Sequence, residues 1–140
     1  MSEAAREAPR HRVLIVDDEE STRLLLARIL ASALGVEVTL AGTCEEALRL
    51  GGNYAYDAIL LDLLMPGVGG TEVLRELRGS SPNSATPIII VTVLADEATR
   101  ERCRAAGASA YLVKPVAREL LAETVRAQIA GRRKPQSTRR

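Results

Sequence analysis

Five short apolar segments alternate along the chain with longer segments in which apolar residues recur every three to four positions. The apolar segments cover residues 13–16, 36–40, 58–61, 88–91 and 110–113. Three of them, with the sequences VLIV, AILL and IIIV, are apolar throughout and do not alternate with polar residues. Uninterrupted apolar runs of this length are typical of strands that are buried on both faces of a parallel sheet. The pattern therefore predicts five strands.

Each predicted strand is followed by a segment with helical spacing, over residues 21–34, 44–50, 71–78, 95–106 and 117–129. Glycine, a common signal for the end of a helix, follows the later segments at Gly51, Gly79, Gly107 and Gly131. The alternation predicts a (βα)5 chain with right-handed crossovers. This is a doubly wound α/β fold with a parallel sheet and helices on both faces. A chain of 140 residues has room for one such domain.

The two ends of the chain differ in composition from this domain, which we place at residues 11–130. We expect a disordered tail at 1–10 and a basic tail or linker stub at 131–140. Six basic and no acidic residues follow Glu123, which leaves 13 basic and 18 acidic residues in the rest of the chain. A basic end can contact nucleic acid, but chain ends are usually poorly ordered. We therefore expect a solvated tail, and no nucleic-acid contact without an output domain.

Composition excludes several classes of function. Phe and Trp are absent, so an aromatic platform for stacked bases is not expected. His11 is the only histidine, which excludes a zinc site with several histidine ligands. Cys44 and Cys103 form no CxxC pair and are expected to be small buried residues on helices. The apolar runs are too short to cross a membrane and the N-terminus has no apolar signal core, so we expect a cytoplasmic protein without a membrane partner.

Polar side chains that can react or bind a ligand follow four of the five predicted strands. Asp17 and Asp18 come after the first strand, and Asp62 comes after the third. Thr92 follows the apolar run of the fourth strand and Lys114 follows the fifth strand. Because the carboxyl ends of parallel strands meet at one edge of a sheet, we expect these five side chains to lie together.

Three neighbouring carboxylates repel one another, and a divalent cation removes that repulsion. A ligand set made only of oxygen suits Mg²⁺ or Mn²⁺. One carboxylate can also act as a nucleophile and form an aspartyl phosphate. The metal, the Lys114 ammonium and the Thr92 hydroxyl would then share the phosphoryl oxygens, because phosphoryl transfer depends mainly on positioning and charge neutralisation.

The strings that carry these residues are LIVDDE at 14–19, LLDLLMPGVGG at 60–70, VT at 91–92 and AYLVKP at 110–115. In this order the chain, over about residues 11–130, resembles the response-regulator receiver domains of bacterial two-component signalling. The resemblance implies a flavodoxin-like sheet with strand order 2-1-3-4-5. It also implies a cis peptide bond between Lys114 and Pro115.

The resemblance assigns a role to each residue of the acidic edge. Asp62 is similar to the phosphoacceptor, and Asp17 and Asp18 are similar to the acidic pair of the family. The metal, Mg²⁺ or Mn²⁺, is expected to bind Asp18, Asp62 and a backbone carbonyl near Leu64, with Asp17 holding a coordinated water. Asp62, Lys114 and Thr92 are thus the expected catalytic residues.

The family also implies a switch and its partners. Thr92 is similar to the switch hydroxyl, and Tyr111 to the aromatic residue that turns inward on activation. A sensor histidine kinase or phosphotransfer protein is the expected donor, and a downstream protein is expected to bind the surface formed by about residues 95–130. The domain is then not an enzyme in the usual sense, because it catalyses only its own phosphorylation and dephosphorylation.

Two other functions remain open for this fold. A receiver-like adapter binds proteins without being phosphorylated, but the full set of Asp17, Asp18, Asp62, Thr92 and Lys114 argues against it, since an adapter does not need them. A flavin carrier shares the fold, but no phosphate-binding loop of Ser, Thr and Gly follows the first strand.

Two residues near the implied phosphoryl group are large and apolar. Val93 follows Thr92, where most receivers carry a small residue, and Leu64 stands two positions after Asp62. The resemblance implies that both flank the phosphoryl group. Hydrolysis needs a water about 3–3.5 Å from phosphorus, and a branched apolar side chain occupies its approach without offering a hydrogen bond. We therefore predict a long-lived phosphoryl group.

Overall fold

The structure, a computed structural model, describes residues 10–79 and 82–133. Residues 1–9 of the predicted N-terminal tail and residues 134–140 of the predicted basic tail lie outside these residues. The strands are β1 (Arg12–Val16), β2 (Glu37–Ala41), β3 (Ala58–Leu61), β4 (Ile88–Thr92) and β5 (Ala110–Val113). The helices are α1 (Glu20–Leu34), α2 (Cys44–Asn53), α3 (Gly70–Gly79), α4 (Glu97–Ala105) and α5 (Arg118–Arg133).

All strand pairs are parallel, and the order in the sheet is β2-β1-β3-β4-β5. The predicted fold class, strand order and number of strands are therefore confirmed. The cis peptide bond between Lys114 and Pro115 is confirmed as well. Within the described part of the chain, no helix is both long and apolar enough to cross a membrane.

Two hydrophobic cores, one on each face of the sheet, explain the uninterrupted apolar runs. On β1, Leu14 and Val16 pack with α2, α3 and α4, whereas Val13 and Ile15 pack with α1 and α5. The central strands β3 and β4 divide their residues between the two cores in the same alternating way. Since successive side chains of a strand point to opposite faces, a strand between two helical layers has no polar face.

Strand pairing brings the acidic residues together. Val16 is paired with Leu61, so the residues that follow them, Asp17 and Asp62, leave the sheet side by side. The Asp62 N–H donates to the Val16 carbonyl at 3.0 Å, and the Asp17 N–H donates to the Ala41 carbonyl at 3.1 Å. Both aspartates are thus held at the carboxyl edge of the sheet by ladder-like backbone bonds.

Two glycines that were predicted to end helices lie inside them. Helix α2 continues through Gly51, where an added Cβ would lie 2.2 Å from Leu77 Cδ2, so this glycine serves close packing against α3. Helix α5 continues past Gly131 to Arg133. Its last turn is fixed to the connection before β3, because the Arg132 guanidinium donates to the Tyr56 carbonyl at 3.1 Å. The predicted stops at these two glycines are wrong.

A buried polar cluster closes the opposite, amino edge of the sheet. The Asn83 side-chain amide donates to the carbonyls of Gly51 and Tyr54, each at 2.7 Å, and its oxygen accepts the Tyr56 N–H at 2.9 Å. The Arg78 guanidinium binds backbone carbonyls of this loop and the Gly107 carbonyl. Burial lowers the pKa of Arg78. This cluster gives the polar connection before β4 a fixed conformation.

Candidate functional site

Three carboxylates gather at the carboxyl edge of the sheet. Asp17, Asp18 and Asp62 each offer one oxygen, and these oxygens all lie within 4.8 Å of one another. Asp17 and Asp62 are buried, and Asp18 is exposed. The donor set consists only of carboxylate oxygen, which is the set that Mg²⁺ and Mn²⁺ prefer. The residues present therefore fit the metal that the sequence predicts.

An ammonium group from another strand end binds two of these carboxylates. Lys114 Nζ donates to Asp17 Oδ2 at 2.8 Å and to Asp62 Oδ2 at 2.9 Å. Burial by itself would lower the pKa of Lys114, but the hydrogen bonds to Asp17 and Asp62 and their negative charges outweigh it and raise that pKa. The lysine is thus fully charged at neutral pH and offsets part of the repulsion among the carboxylates.

Backbone N–H groups orient the two buried carboxylates. The Glu19 N–H donates to Asp17 Oδ1 at 3.0 Å, and the Leu64 N–H donates to Asp62 Oδ1 at 3.2 Å. Both bonds close tight turns two residues after the aspartate. Asp18 differs, because its carboxylate has no hydrogen-bond partner among residues 10–79 and 82–133. It is therefore the carboxylate of the cluster that is most available to a ligand from solvent.

The loop after Asp62 folds back on its own beginning. The Gly70 N–H donates to the Leu63 carbonyl at 3.2 Å. A Cβ on Gly70 would lie 2.4 Å from Leu63 Cα and 2.7 Å from the Asp62 carbonyl oxygen. Only glycine leaves room for this contact, so α3 begins directly against the backbone of Asp62.

The two predicted switch residues are connected through one backbone residue. Thr92 is fully buried, and its hydroxyl accepts the Leu94 N–H at 3.5 Å. The Tyr111 hydroxyl donates to the Leu94 carbonyl at 2.8 Å. The guanidinium carbon of Arg100 lies 4.6 Å from the centre of the Tyr111 ring. A change at Thr92 is thus linked to Tyr111 and to α4 by direct contacts.

The two large apolar residues of the site are both open to solvent. Leu64 is 50% exposed in the loop after β3, and Val93 is 55% exposed directly after β4. They border the edge at which Asp62 lies. Their predicted effect on the phosphoryl group stays a prediction.

Sequence reasoning missed one residue that binds the site. Arg23, on the first turn of α1, donates from Nη1 to the Asp17 carbonyl oxygen at 2.8 Å. An arginine on a helix has no spacing or motif that distinguishes it from a solvated charge, so the pattern contained no signal for this contact.

The comparisons with known proteins agree with this geometry. Residues 13–126 match the family model described as "Response regulator receiver domain". The chain belongs to the response-regulator receiver family. In this family, phosphorylation by a kinase is the standard function.

Relatives of this receiver domain include both short and long proteins. Protein PilH of Pseudomonas aeruginosa is 35% identical over 86% of this chain and 98% of its own length. Response regulator GacA of the same species is 34% identical over 87% of this chain, which spans 56% of GacA. Transcriptional regulatory protein ResD of Bacillus subtilis is 41% identical over 74% of the chain, and 42% of ResD is covered. The receiver domain thus corresponds to about half of several relatives and to nearly all of PilH.

Solved structures share the receiver architecture. A CheY-like receiver domain protein from Methanospirillum hungatei superimposes with a TM-score of 0.85 at 30% identity, over 91% of this chain and 99% of its own. The receiver domain of the sensor histidine kinase PA1611 from Pseudomonas aeruginosa has a TM-score of 0.80 at 32% identity, over 87% of this chain and 99% of its own. That structure holds a magnesium ion coordinated in its active-site cleft.

Proposed function

We propose that Asp62 accepts a phosphoryl group from a histidine kinase or phosphotransfer protein, with Mg²⁺ or Mn²⁺ as cofactor. The observation that carries this proposal is the Lys114 ammonium bound to Asp62 beside two further carboxylates. Asp62 follows β3, the central strand of the sheet. Its carboxylate therefore has acidic neighbours on the β1 side and the Thr92 and Lys114 groups on the β4 and β5 side.

The proposed reaction transfers a phosphoryl group from nitrogen to oxygen. A carboxylate oxygen of Asp62 attacks the phosphorus of a phosphohistidine, the new O–P bond forms and the N–P bond breaks. The electron pair of the broken bond returns to the imidazole nitrogen of the donor. Lys114 holds the attacking carboxylate and then faces the negative oxygens of the product, and the Thr92 hydroxyl is a neutral donor on the same side of Asp62.

The metal would be held by the same edge of the sheet. Asp18 and Asp62 would bind it together with a backbone carbonyl near Leu64, and Asp17, whose oxygens already accept two hydrogen bonds, would hold one of its waters. When bound, the cation neutralises negative charge on the carboxylates and on the transferred group. The reaction modifies the receiver domain itself, so the domain is a phosphoacceptor that acts on no other substrate.

The consequence of phosphorylation would be a change in partner binding. The contacts from Thr92 through Leu94 to Tyr111 connect the acidic edge to α4 and β5. We propose that residues 95–130 form the surface whose affinity for a downstream protein changes. A two-state shift of this kind needs a difference in contacts between the states, and Tyr111 supplies it.

The test is phosphoryl uptake from acetyl phosphate, followed by mass spectrometry of the intact protein. The wild-type protein should gain one phosphoryl group when Mg²⁺ is present, and Asp62→Asn should gain none, because an amide is not an anionic nucleophile. Asp57→Asn is the matched control, since Asp57 precedes β3 at the opposite edge of the sheet and should leave uptake unchanged. Equal uptake by Asp62→Asn would overturn the assignment.

A second measurement concerns the metal. Asp18→Ala should weaken Mg²⁺ binding and phosphoryl uptake together, because its carboxylate is the one without another partner in the described chain. Undiminished Mg²⁺ binding by this variant would contradict the proposed ligand set.

A further inference from the structure

Every hydrogen-bonding group of Asp17 has a partner. Its N–H donates to the Ala41 carbonyl, and its two carboxylate oxygens accept from the Glu19 N–H and from Lys114. Its remaining group, the carbonyl oxygen, accepts from Arg23 Nη1 at 2.8 Å. Strand pairing, the turn into α1 and the acidic site explain the first three bonds. The fourth depends on a single side chain of α1.

The Arg23 guanidinium fills a space that the chain keeps open for it. An added Cβ on Gly42 would lie 2.8 Å from Nη1 and 3.3 Å from Cζ of Arg23. Gly42 has no positive φ, so backbone conformation does not require a glycine there. The absence of a side chain instead allows the guanidinium to lie between the turn after β1 and the connection after β2.

This use of an arginine differs from that of four exposed helical arginines in the structure. Arg49, Arg75, Arg104 and Arg126 each pair with a glutamate three residues earlier on their own helix. Such exposed pairs contribute little to stability. Arg23 instead forms a charge-assisted bond to a backbone carbonyl of the acidic site, and bonds of this kind are shorter and stronger than neutral ones.

The carbonyl that Arg23 binds belongs to the peptide group between Asp17 and Asp18. A peptide group is planar, so a bond to its oxygen fixes the direction in which the chain enters Asp18. Asp18 has no side-chain partner of its own in the described residues. The position of its carboxylate therefore depends on its backbone.

We propose that Arg23 is a positioning residue for the metal site: it holds the Asp17–Asp18 peptide so that the Asp18 carboxylate lies with those of Asp17 and Asp62. This role rests on the proposed function, because it assigns a divalent cation to these three carboxylates. Arg23 does not itself contact the cation. Groups that orient metal ligands typically change metal affinity about 10–100-fold when they are removed.

The sign of the effect separates positioning from simple electrostatics. Removing a positive charge near a cation site strengthens cation binding if only charge matters. Removing a group that orients a ligand weakens it. Arg23→Ala should therefore weaken Mg²⁺ binding about 10-fold or more, measured by calorimetric titration of the full chain with MgCl2 in the absence of any phosphoryl donor.

Three variants make the experiment decisive. Gly42→Ala keeps the charge and places a methyl group 2.8 Å from Nη1, at the flexible end of the Arg23 side chain, so it should weaken Mg²⁺ binding less than Arg23→Ala does. Arg23→Lys retains a donor for the carbonyl and should restore part of the affinity. Arg28→Ala, at an exposed position of the same helix, removes an equal charge and should bind Mg²⁺ as the wild type does. Thermal unfolding without Mg²⁺ verifies that each variant is folded.

Each outcome bears on a separate statement. Mg²⁺ binding by Arg23→Ala that equals or exceeds that of the wild type would overturn the positioning role, even if Asp62 is phosphorylated as proposed. A wild-type chain that binds no Mg²⁺ would overturn the metal site and this role with it. Phosphoryl uptake by Arg23→Ala should recover at saturating Mg²⁺, and a lasting deficit would mean that Arg23 acts on the phosphoryl group and not through the metal ligands.

Discussion

Lys114 reaches Asp62 across the end of an intervening strand. Lys114 follows β5 and Asp62 follows β3, with β4 between them in the sheet, and yet Nζ and Oδ2 are 2.9 Å apart. The same ammonium also donates to Oδ2 of Asp17, which follows β1, at 2.8 Å. One side chain thus connects the ends of three strands.

This bridge should make stability depend on pH in the alkaline range. The pKa of Lys114 is raised above its ordinary value of 10.5 because hydrogen bonds to Asp17 and Asp62 outweigh burial, the largest opposing influence. Its contribution is therefore fully present below pH 10.5 and is lost as the pH rises through the folded-state pKa. Lys114→Met should lower the free energy of unfolding by about 3 kcal/mol at neutral pH. The difference in that free energy between the variant and the wild type should shrink above pH 10.5.

Urea unfolding at a series of pH values measures this difference, with Arg28→Met as the control for loss of an exposed cation. If the difference in unfolding free energy between the wild type and Lys114→Met stays constant at alkaline pH, the lysine charge is not the source of that difference.

Two glycines at different places in the helices should respond to alanine in opposite ways. Gly70→Ala forces a methyl group against Leu63 Cα and the Asp62 carbonyl oxygen, and we expect a loss of about 3 kcal/mol in the free energy of unfolding. Gly52→Ala meets no atom within 4 Å in helix α2 and should add up to about 1 kcal/mol through helix propensity. Chemical unfolding of both variants decides this, and a stable Gly70→Ala would mean that the loop does not fold back onto Asp62.

The contact between Arg100 and Tyr111 should be visible in the ionisation of the tyrosine. Burial raises the pKa of Tyr111, and the Arg100 charge opposes that increase. Arg100→Ala should therefore raise the pKa of Tyr111 further, whereas Arg104→Ala should not change it, because Arg104 is paired with Glu101. NMR of labelled tyrosine across the alkaline range resolves each of the three tyrosines. A lower pKa in Arg100→Ala would place the guanidinium elsewhere.

The lifetime of the phosphoryl group should depend on the two exposed apolar residues. Val93→Ala should speed autodephosphorylation, because it opens the approach of water to phosphorus. Leu64→Asn should speed it further, because the amide offers that water a hydrogen bond. The measurement is the decay of phosphorylated protein after removal of the donor, with Mg²⁺ present. Unchanged or slower decay in Val93→Ala would contradict the predicted long lifetime.

The sheet and the acidic cluster were predictable because both depend on patterns that are local in sequence. An apolar run such as 88–91 has one stable environment, between two layers of helices, and a parallel sheet then brings Asp17 and Asp62 to the same edge. Neither step needs side-chain packing. The strand order, which the family resemblance implied, then places the end of β1 beside the end of β3.

Contacts that depend on shape were not predictable in this way. Glycine is a common residue at the end of a helix, but Gly51 lies inside α2. A glycine is present there because Leu77 of α3 occupies the space that a side chain at position 51 would need. Arg23 and Gly42 are 19 positions apart in the chain, and only the folded backbone brings the guanidinium against the glycine. Such pairs produce no recognisable pattern in a single sequence, since neither residue is unusual among its sequence neighbours.

The two described ends of the chain lie at the edge of the sheet opposite the carboxylates. His11 and Arg132 both lie within 3.5 Å of Asp57, which directly precedes β3. A strand of four or five residues separates that edge from Asp62, a distance of roughly 15 Å. A label attached beside Arg10 or at Gly131, near the two described ends, therefore joins the domain on the side away from Asp62, and a phosphodonor can approach the acidic edge from the opposite side.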